Sequence, residues 1–318
     1  MSTLPRPPTG RQGWPWEIQT EHRPDQENRW PKISIVTPSF NQGPFIEETI
    51  RSVILQGYPN LEYLIIDGGS SDETLSVIRR YEPWISGWVS EEDRGQADAI
   101  NKGFEKSTGE LLGWLNSDDI LYPGYLFKMA AAFQERPEVD FIFGDIDVGA
   151  DPGDPKSMLR GELRNLEEMV RSLEVPIPQQ SSMWRRRVID TIGGLDPRWR
   201  VLLDREFFLR IAQHCRMDYV PGVGGFFRQH SQSKSTAELA YWAEELPIFY
   251  AEFFERSDLP PRIRRLQPET TAMMFLTCAH IARRVGRPFS MVRFLVRAVA
   301  TDWKTIARRL NRARRRAR

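Results

Sequence analysis

Cysteine and histidine are both scarce in this chain. Its 318 residues include two cysteines, Cys215 and Cys278, far apart and without metal-ligand spacing. That excludes a disulfide framework and fits a reducing compartment. The four histidines form no metal cluster. No apolar run approaches the roughly 18 residues that a membrane-spanning helix needs. The Pro-rich, polar amino-terminus also lacks the apolar core of a secretory leader. A cytoplasmic globular protein is expected. Net charge is nearly absent as well, at +1, but the balance is uneven. From Ile281 to Arg318 there are 12 Arg and 1 Lys against 1 Asp, a net +12 that leaves −11 on the other 280 residues. An acidic body with a strongly basic tail points to phosphate-bearing partners.

What the chain does have is a rhythm of short apolar runs ending in polar turns. The central one is Leu111 to Leu115, read as a buried strand, followed by Asn116, Ser117, Asp118 and Asp119 and then by Tyr122-Pro123-Gly124. Ligands of open α/β sheets collect where strands exit. Two adjacent carboxylates there repel, and a divalent cation with hard oxygen ligands keeps both ionised. A turn capping the next helix is the alternative reading of the same residues.

The other runs repeat the pattern. Lys32 to Ser39 is a strand leading through Phe40-Asn41-Gln42-Gly43 to a helix from about Phe45 to Leu55. Leu61 to Ile66 is a strand ending in Asp67, Gly68 and Gly69. Asp67 is thereby placed to reach a ligand and Asp72 to cap the next helix. Ile85 to Ser90, Leu111 to Leu115 and Asp140 to Asp145 continue the series, with helices between them. A mostly parallel Rossmann-like sheet flanked by helices is expected. Gln179 to Trp184 reads as a strand lining the acceptor side of a cleft. Asp204 falls at the amino-terminus of a helix, as a dipole-favoured carboxylate or a cap. Phe226 to Ser231 reads as a strand with Arg228 and His230 on one face, a pairing suited to a diphosphate.

Three segments are expected: a Pro/Trp-rich arm (1–31), an α/β domain (32–235) and a helical carboxy-terminal extension (236–318). In the last helix Val292, Leu295, Val299, Trp303, Ile306 and Leu310 recur at helical spacing among arginines. Two readings of this stripe stand: docking on the body, or lying flat on an anionic membrane. Nucleic acid is not expected, because the acidic body offers no continuing basic groove.

Four motifs in order resemble family 2 of the inverting glycosyltransferases, of the GT-A fold, over roughly Lys32 to Ser235. They are Ile33 to Asn41, Asp67 to Asp72, Asn116 to Asp119, and Asp204 with Glu206 and Arg210 behind it. The resemblance implies a nucleoside-diphosphate sugar as donor and a glycan or lipid-linked glycan as acceptor. Pro38 and Phe40 would meet the base, and Asp67 would lie in the donor pocket. Asp119 would hold Mg²⁺ or Mn²⁺, with Asp118 at the ribose or sharing the metal. Asp204 would be the catalytic base, and Arg228 and His230 would meet the diphosphate. Surface polysaccharide or glycolipid synthesis at the inner face of the membrane follows as an expectation. A non-catalytic sugar-nucleotide-binding or membrane-scaffold protein is the alternative. The chain departs from the family pattern at Gly68, where many members carry a second Asp that reads the base, and at Asn116, where many carry Asp.

Overall fold

Strand β1 (Ile33–Ser39) is buried at all seven positions, which fits the consecutive β-branched Ile35, Val36 and Thr37 at its centre, where a half-exposed strand would alternate. It pairs in parallel with β2 (Leu61–Asp67) on one side and β4 (Leu111–Trp114) on the other, and β3 (Gly87–Ser90) extends the sheet beyond β2. Between these strands run helices α1 (Gly43–Ile54), α2 (Thr74–Tyr81) and α3 (Gln96–Lys106). Because all four strands are parallel, their carboxyl ends share one edge of the sheet. Helix α3 lies close on β1 because Gly103 has no side chain: a Cβ there would sit 2.3 Å from Val36 Cγ1.

The computed structural model describes residues 4–18, 30–231, 233 and 238–316. Beyond β4 the chain forms β5 (Ile120–Leu121), α4 (Tyr125–Glu135), β6 (Phe141–Gly149), β7 (Ser157–Leu159), α5 (Leu166–Ser172), β8 (Ser182–Arg185), α6 (Arg187–Ile192), α7 (Leu203–His214) and β9 (Met217–Arg228). The nine described strands make one sheet in the order β3-β2-β1-β4-β8-β6-β9-β5, with β7 on β6. The sheet is mixed. Its first four strands are parallel, as expected, but β8 runs antiparallel to both β4 and β6, and β5 antiparallel to β9. The cause is local: Gln179–Ser181 is a short 3₁₀ turn beside Asp119, not strand, so the chain enters β8 from the ligand edge and runs the opposite way.

Two compact units result. The first holds the whole sheet. One face is packed with aliphatic residues such as Ile33, Ile46, Ile50, Ile65 and Ile78. An aromatic group adds Trp114, Trp184, Phe141 and Phe104, with Trp114 and Trp184 centroids 5.4 Å apart. The amino-terminal arm is tied to this unit by buried Arg51. Its guanidinium donates to the carbonyls of Pro5 (3.0 Å), Pro15 (3.1 Å) and Trp16 (2.5 Å) and stacks over the Trp16 ring.

The second unit takes α5, the first turn of α7, α8 (Leu239–Glu255), α9 (Pro261–Arg264), α10 (Gln267–Arg284) and α11 (Pro288–Arg316). Ala272 on α10 faces Ala298 and Ile306 on α11, with Phe275 and Phe294 stacked at 6.2 Å. The apolar residues of α11 do not act as one stripe. Ile306 is buried, whereas Val292, Leu295, Val299 and Trp303 are exposed; Leu310 lies outside the residues whose side chains are described. The reason is a break at Asp302 (φ −154°, ψ 86°), where the helical phase is interrupted and Asp302 caps a new helix through the N–H of Thr305.

Candidate active site

The carboxyl edge of the parallel strands collects the first group of expected residues. Pro38 is buried inside β1, while Phe40, one residue past the strand, is 59 % exposed. Its loop is locked to the next one. Ser70 Oγ accepts from the N–H of Asn41, Thr74 Oγ1 from that of Gln42, and Asp72 from that of Gly43. Asp72 also accepts from the N–H of Thr74, so it fastens two helix starts at once.

Asp67 is placed otherwise than expected. It is fully buried at the end of β2, and its carboxylate accepts from the N–H groups of Gly69 and Ser70 and from the hydroxyls of Ser70 and Ser90. Those four donors fold the side chain inward, so Asp67 shapes the loop. At Gly68 the space for a side chain is taken by Asp93, whose Oδ2 would lie 2.5 Å from a Cβ.

Asp118 and Asp119 follow β4 and differ in burial. Asp118 is half-buried, whereas Asp119 is sealed from solvent. Asp119 accepts from the N–H of Arg228 (2.9 Å), from Gln180 Nε2 (2.9 Å) and from Asn116 Nδ2 (3.1 Å). Burial, and after it the neighbouring charge of Asp118, drives the Asp119 carboxyl well above the usual carboxylate range; those three donors oppose the rise. Asn116 is itself held by Gln96 Nε2 and donates to Gln179. Among the described residues no group of three or more His, Cys, Asp or Glu side chains is gathered for a metal ion.

Arg228, expected against a ligand diphosphate, turns into the protein. Its guanidinium meets Glu48 at 2.6 Å, with both side chains buried, and donates to the carbonyls of Asp118 (2.8 Å) and Ala150 (3.2 Å). A buried Glu48 requires a cation, and Arg228 supplies it. The expected shared strand face with His230 is absent, because β9 ends at Arg228. His230 belongs to the second unit, where its carbonyl accepts from the N–H and hydroxyl of Ser233.

Asp204 also belongs to the second unit, at the second position of α7. Burial raises its carboxyl above the usual range, against the pull of the Arg205 N–H at 2.7 Å and of the Arg205 charge. Arg205 is anchored by the carbonyl of Leu173 and the hydroxyl of Tyr250. Glu206 and Arg210 form a two-pronged pair, and Arg210 also donates to the carbonyl of Gly194.

Sequence reasoning missed Glu48, Gln96 and Asp93, and put Gln180 on the acceptor side of a cleft without its bond to Asp119. Glu48 had only a weak signal, since it stands beside Glu47 between Ile46 and Ile50 and the pattern does not say which of the two carboxylates turns inward. The two glutamines had none, since an amide looks alike in any polar turn.

The model of the family described as "Glycosyl transferase family 2" matches residues 34–193, half of the chain, and that span contains β1 to β4 with the Asp118–Asp119 turn. The chain belongs to glycosyl transferase family 2. An uncharacterized glycosyltransferase of Mycobacterium tuberculosis is 32 % identical over 191 residues, covering 58 % of this chain and 70 % of the relative. A PGL/p-HBAD biosynthesis glycosyltransferase of Mycobacterium bovis is 29 % identical over 184 residues, covering 57 % and 69 %. Among solved structures, Staphylococcus aureus TarS 1–349 in complex with UDP-GlcNAc aligns with a TM-score of 0.59 at 15 % identity, covering 83 % of this chain and 90 % of that one. The mannosyltransferase PcManGT from Pyrobaculum calidifontis, in complex with GDP-Man and Mn²⁺, aligns with a TM-score of 0.59 at 19 % identity, covering 95 % and 83 %. The fold of this family 2 glycosyltransferase is GT-A.

Proposed function

We propose that this glycosyltransferase moves a sugar from a nucleoside-diphosphate sugar to an acceptor hydroxyl with inversion at the anomeric carbon. The acceptor is a glycan or lipid-linked glycan of surface polysaccharide or glycolipid synthesis. The observation that carries the reading is the shared strand edge: an exposed Phe40 ring stands on the same edge as a carboxylate pair whose Asp119 is braced by two side chains and one backbone N–H. An exposed aromatic at a sheet edge suits base stacking, with Pro38 as its backing. The names of the relatives add a glycolipid pathway for one and bound UDP-GlcNAc and GDP-Man for two.

The carboxylate pair fits Mg²⁺ or Mn²⁺. Magnesium-type sites use one or two carboxylates and complete their shell with water and substrate phosphate, so they need no cage of protein ligands. An ionised carboxylate has about four acceptor directions, and three donors leave Asp119 one. A raised Asp119 carboxyl is also what a bound cation would reverse. Asp118 and Asp119 would hold the ion, which would neutralise the charge that develops on the leaving diphosphate.

The rest falls to the chain's own groups. An acceptor hydroxyl must lose its proton as it attacks, and Asp204 is the base for that proton. Its raised carboxyl suits the task, since a stronger base takes more of the proton in the transition state. Arg228 is a positioning residue that holds the Asp118–Asp119 turn, its backbone N–H donating to the Asp119 carboxylate and its guanidinium to the Asp118 carbonyl. His230 is the remaining side-chain candidate to donate to the diphosphate.

The test is a panel of UDP-, GDP- and dTDP-sugars with and without Mn²⁺, read by thermal shift and then by transfer. The cognate donor should stabilise the chain by about 2.7 kcal/mol at a hundred times its Kd. Asp204→Asn should keep that stabilisation and lose about 10²–10⁴-fold in transfer rate. Full transfer by Asp204→Asn would remove it as the base. Donor binding with no turnover under any condition would favour the non-catalytic reading.

A further inference from the structure

Helix α11 has two faces, and one of them is apolar without a partner among the described residues. Phe294 and Ala298 are buried toward α10. On the other side Phe289 is 92 % exposed, Val292 53 %, Leu295 40 %, Val296 63 % and Val299 50 %, and Trp303, just past the Asp302 break, 62 %. At about 100° per residue, the five that precede the break fall within an arc of about 120°. Arg293 and Arg297 lie along one margin of that arc, and both are exposed. Further along, Lys304, Arg308 and Arg309 are exposed too. The lone acidic residue from Ile281 to the carboxy-terminus, Asp302, is engaged with Thr305. Arg287, Arg293 and Arg297 also line a cavity of about 330 Å³ with Pro247, Phe294 and Glu244, and Glu244 pairs with Arg287 at 3.1 Å, which leaves Arg293 and Arg297 as its remaining cations.

We propose that this face of α11 binds the surface of a bilayer that contains anionic lipid, with the helix lying parallel to the membrane plane. An exposed apolar arc of this size is costly in water and stable at the boundary between head groups and acyl chains. Exposed Trp303, just past the break, is of the residue type that favours that same boundary. The arginines beside it choose the charge of the surface. A nucleic acid would use the arginines and leave the apolar arc in water. A second copy of the same face would set Arg293 and Arg297 against arginines. Only a surface that is apolar within and anionic outside satisfies both halves of the helix. No described helix is long and apolar enough to cross a membrane, so the contact is peripheral. The inference rests on α11 alone, and a failed sugar-transfer assay would leave it standing.

The test is co-sedimentation of the full chain with vesicles of phosphatidylcholine alone or mixed in equal parts with phosphatidylglycerol. Binding is expected to the mixed vesicles and to be lost in high salt. Phe289→Asp with Val296→Asp should weaken it at least about tenfold, and Arg293→Gln with Arg297→Gln should lower it toward the level on phosphatidylcholine. All four positions are exposed, so circular dichroism should show an unchanged fold. Lipids brominated on the acyl chain should quench a component of the fluorescence that Trp303→Phe removes. Equal binding to both vesicle types, binding unchanged in the apolar double variant, or no quenching of Trp303 would overturn the proposal. A solution dimer that protects Trp303 from aqueous quencher would assign the face to a second copy instead. Binding to RNA or DNA that survives the apolar substitutions while vesicle binding is absent would assign the arginines to nucleic acid.

Discussion

A buried ion pair, Glu48 with Arg228, stands directly behind the Asp118–Asp119 turn. Removing one member of such a pair leaves a charge without compensation and costs about 3–5 kcal/mol. Arg228→Met should therefore unfold at lower urea, and Glu48→Met with Arg228→Met should recover part of the loss. In the single variant donor binding should also fall, because the carbonyl of Asp118 loses its brace. Glu62 makes a different residue-scale statement, at the opposite edge of the sheet. Burial alone would raise its carboxyl, but Lys32, Ser34 and Thr108 bond it so fully that it falls to about 2. A depressed folded value means that its stabilisation is complete above the unfolded value of about 4.3 and is lost as pH falls through about 2. Urea midpoints should drop over that window, and Glu62→Gln should flatten the drop while lowering stability at neutral pH.

At the scale of elements, the arm shows how a segment without regular structure is held. Three of its carbonyls share one guanidinium, that of Arg51, which also bonds Tyr81; Trp14 Nε1 adds a bond to the carbonyl of Leu121. An unmet buried acceptor costs about 1–3 kcal/mol, so without Arg51 the arm is better placed in water. Arg51→Met should expose the arm, giving faster proteolytic removal of residues before Lys32 and a melting temperature lower by several degrees. The strands and helices of the βα repeats were legible in advance because buried parallel strands read as continuous apolar runs and their glycine-rich turns punctuate them. Gln179 to Ser181 was not legible, because one 3₁₀ turn has no period, and its reversal of direction set the antiparallel course of β8. The stripe on α11 was legible as a pattern, but which face it presented depended on a break at a single residue, Asp302.

At the scale of the whole molecule, charge and topology were separately readable. Charge is set by composition alone, and the excess of arginine after Ile281 stands whatever the fold. Membership of the family rests likewise on the order of the motifs along the chain, and that order marked the strand edge where Phe40 and the Asp118–Asp119 turn now lie. Apolar periodicity and turn chemistry, both local, therefore sufficed for the βα succession and for the neighbourhood of the carboxylate pair. Only the tertiary structure decided which polar groups face inward. It buried Asp67 under four donors, sealed Asp119 behind Gln180 and Asn116, and drew Arg228 to Glu48, 180 positions away in the chain. Whether a carboxylate meets solvent or a protein donor depends on groups distant in sequence, and local pattern carries no record of them.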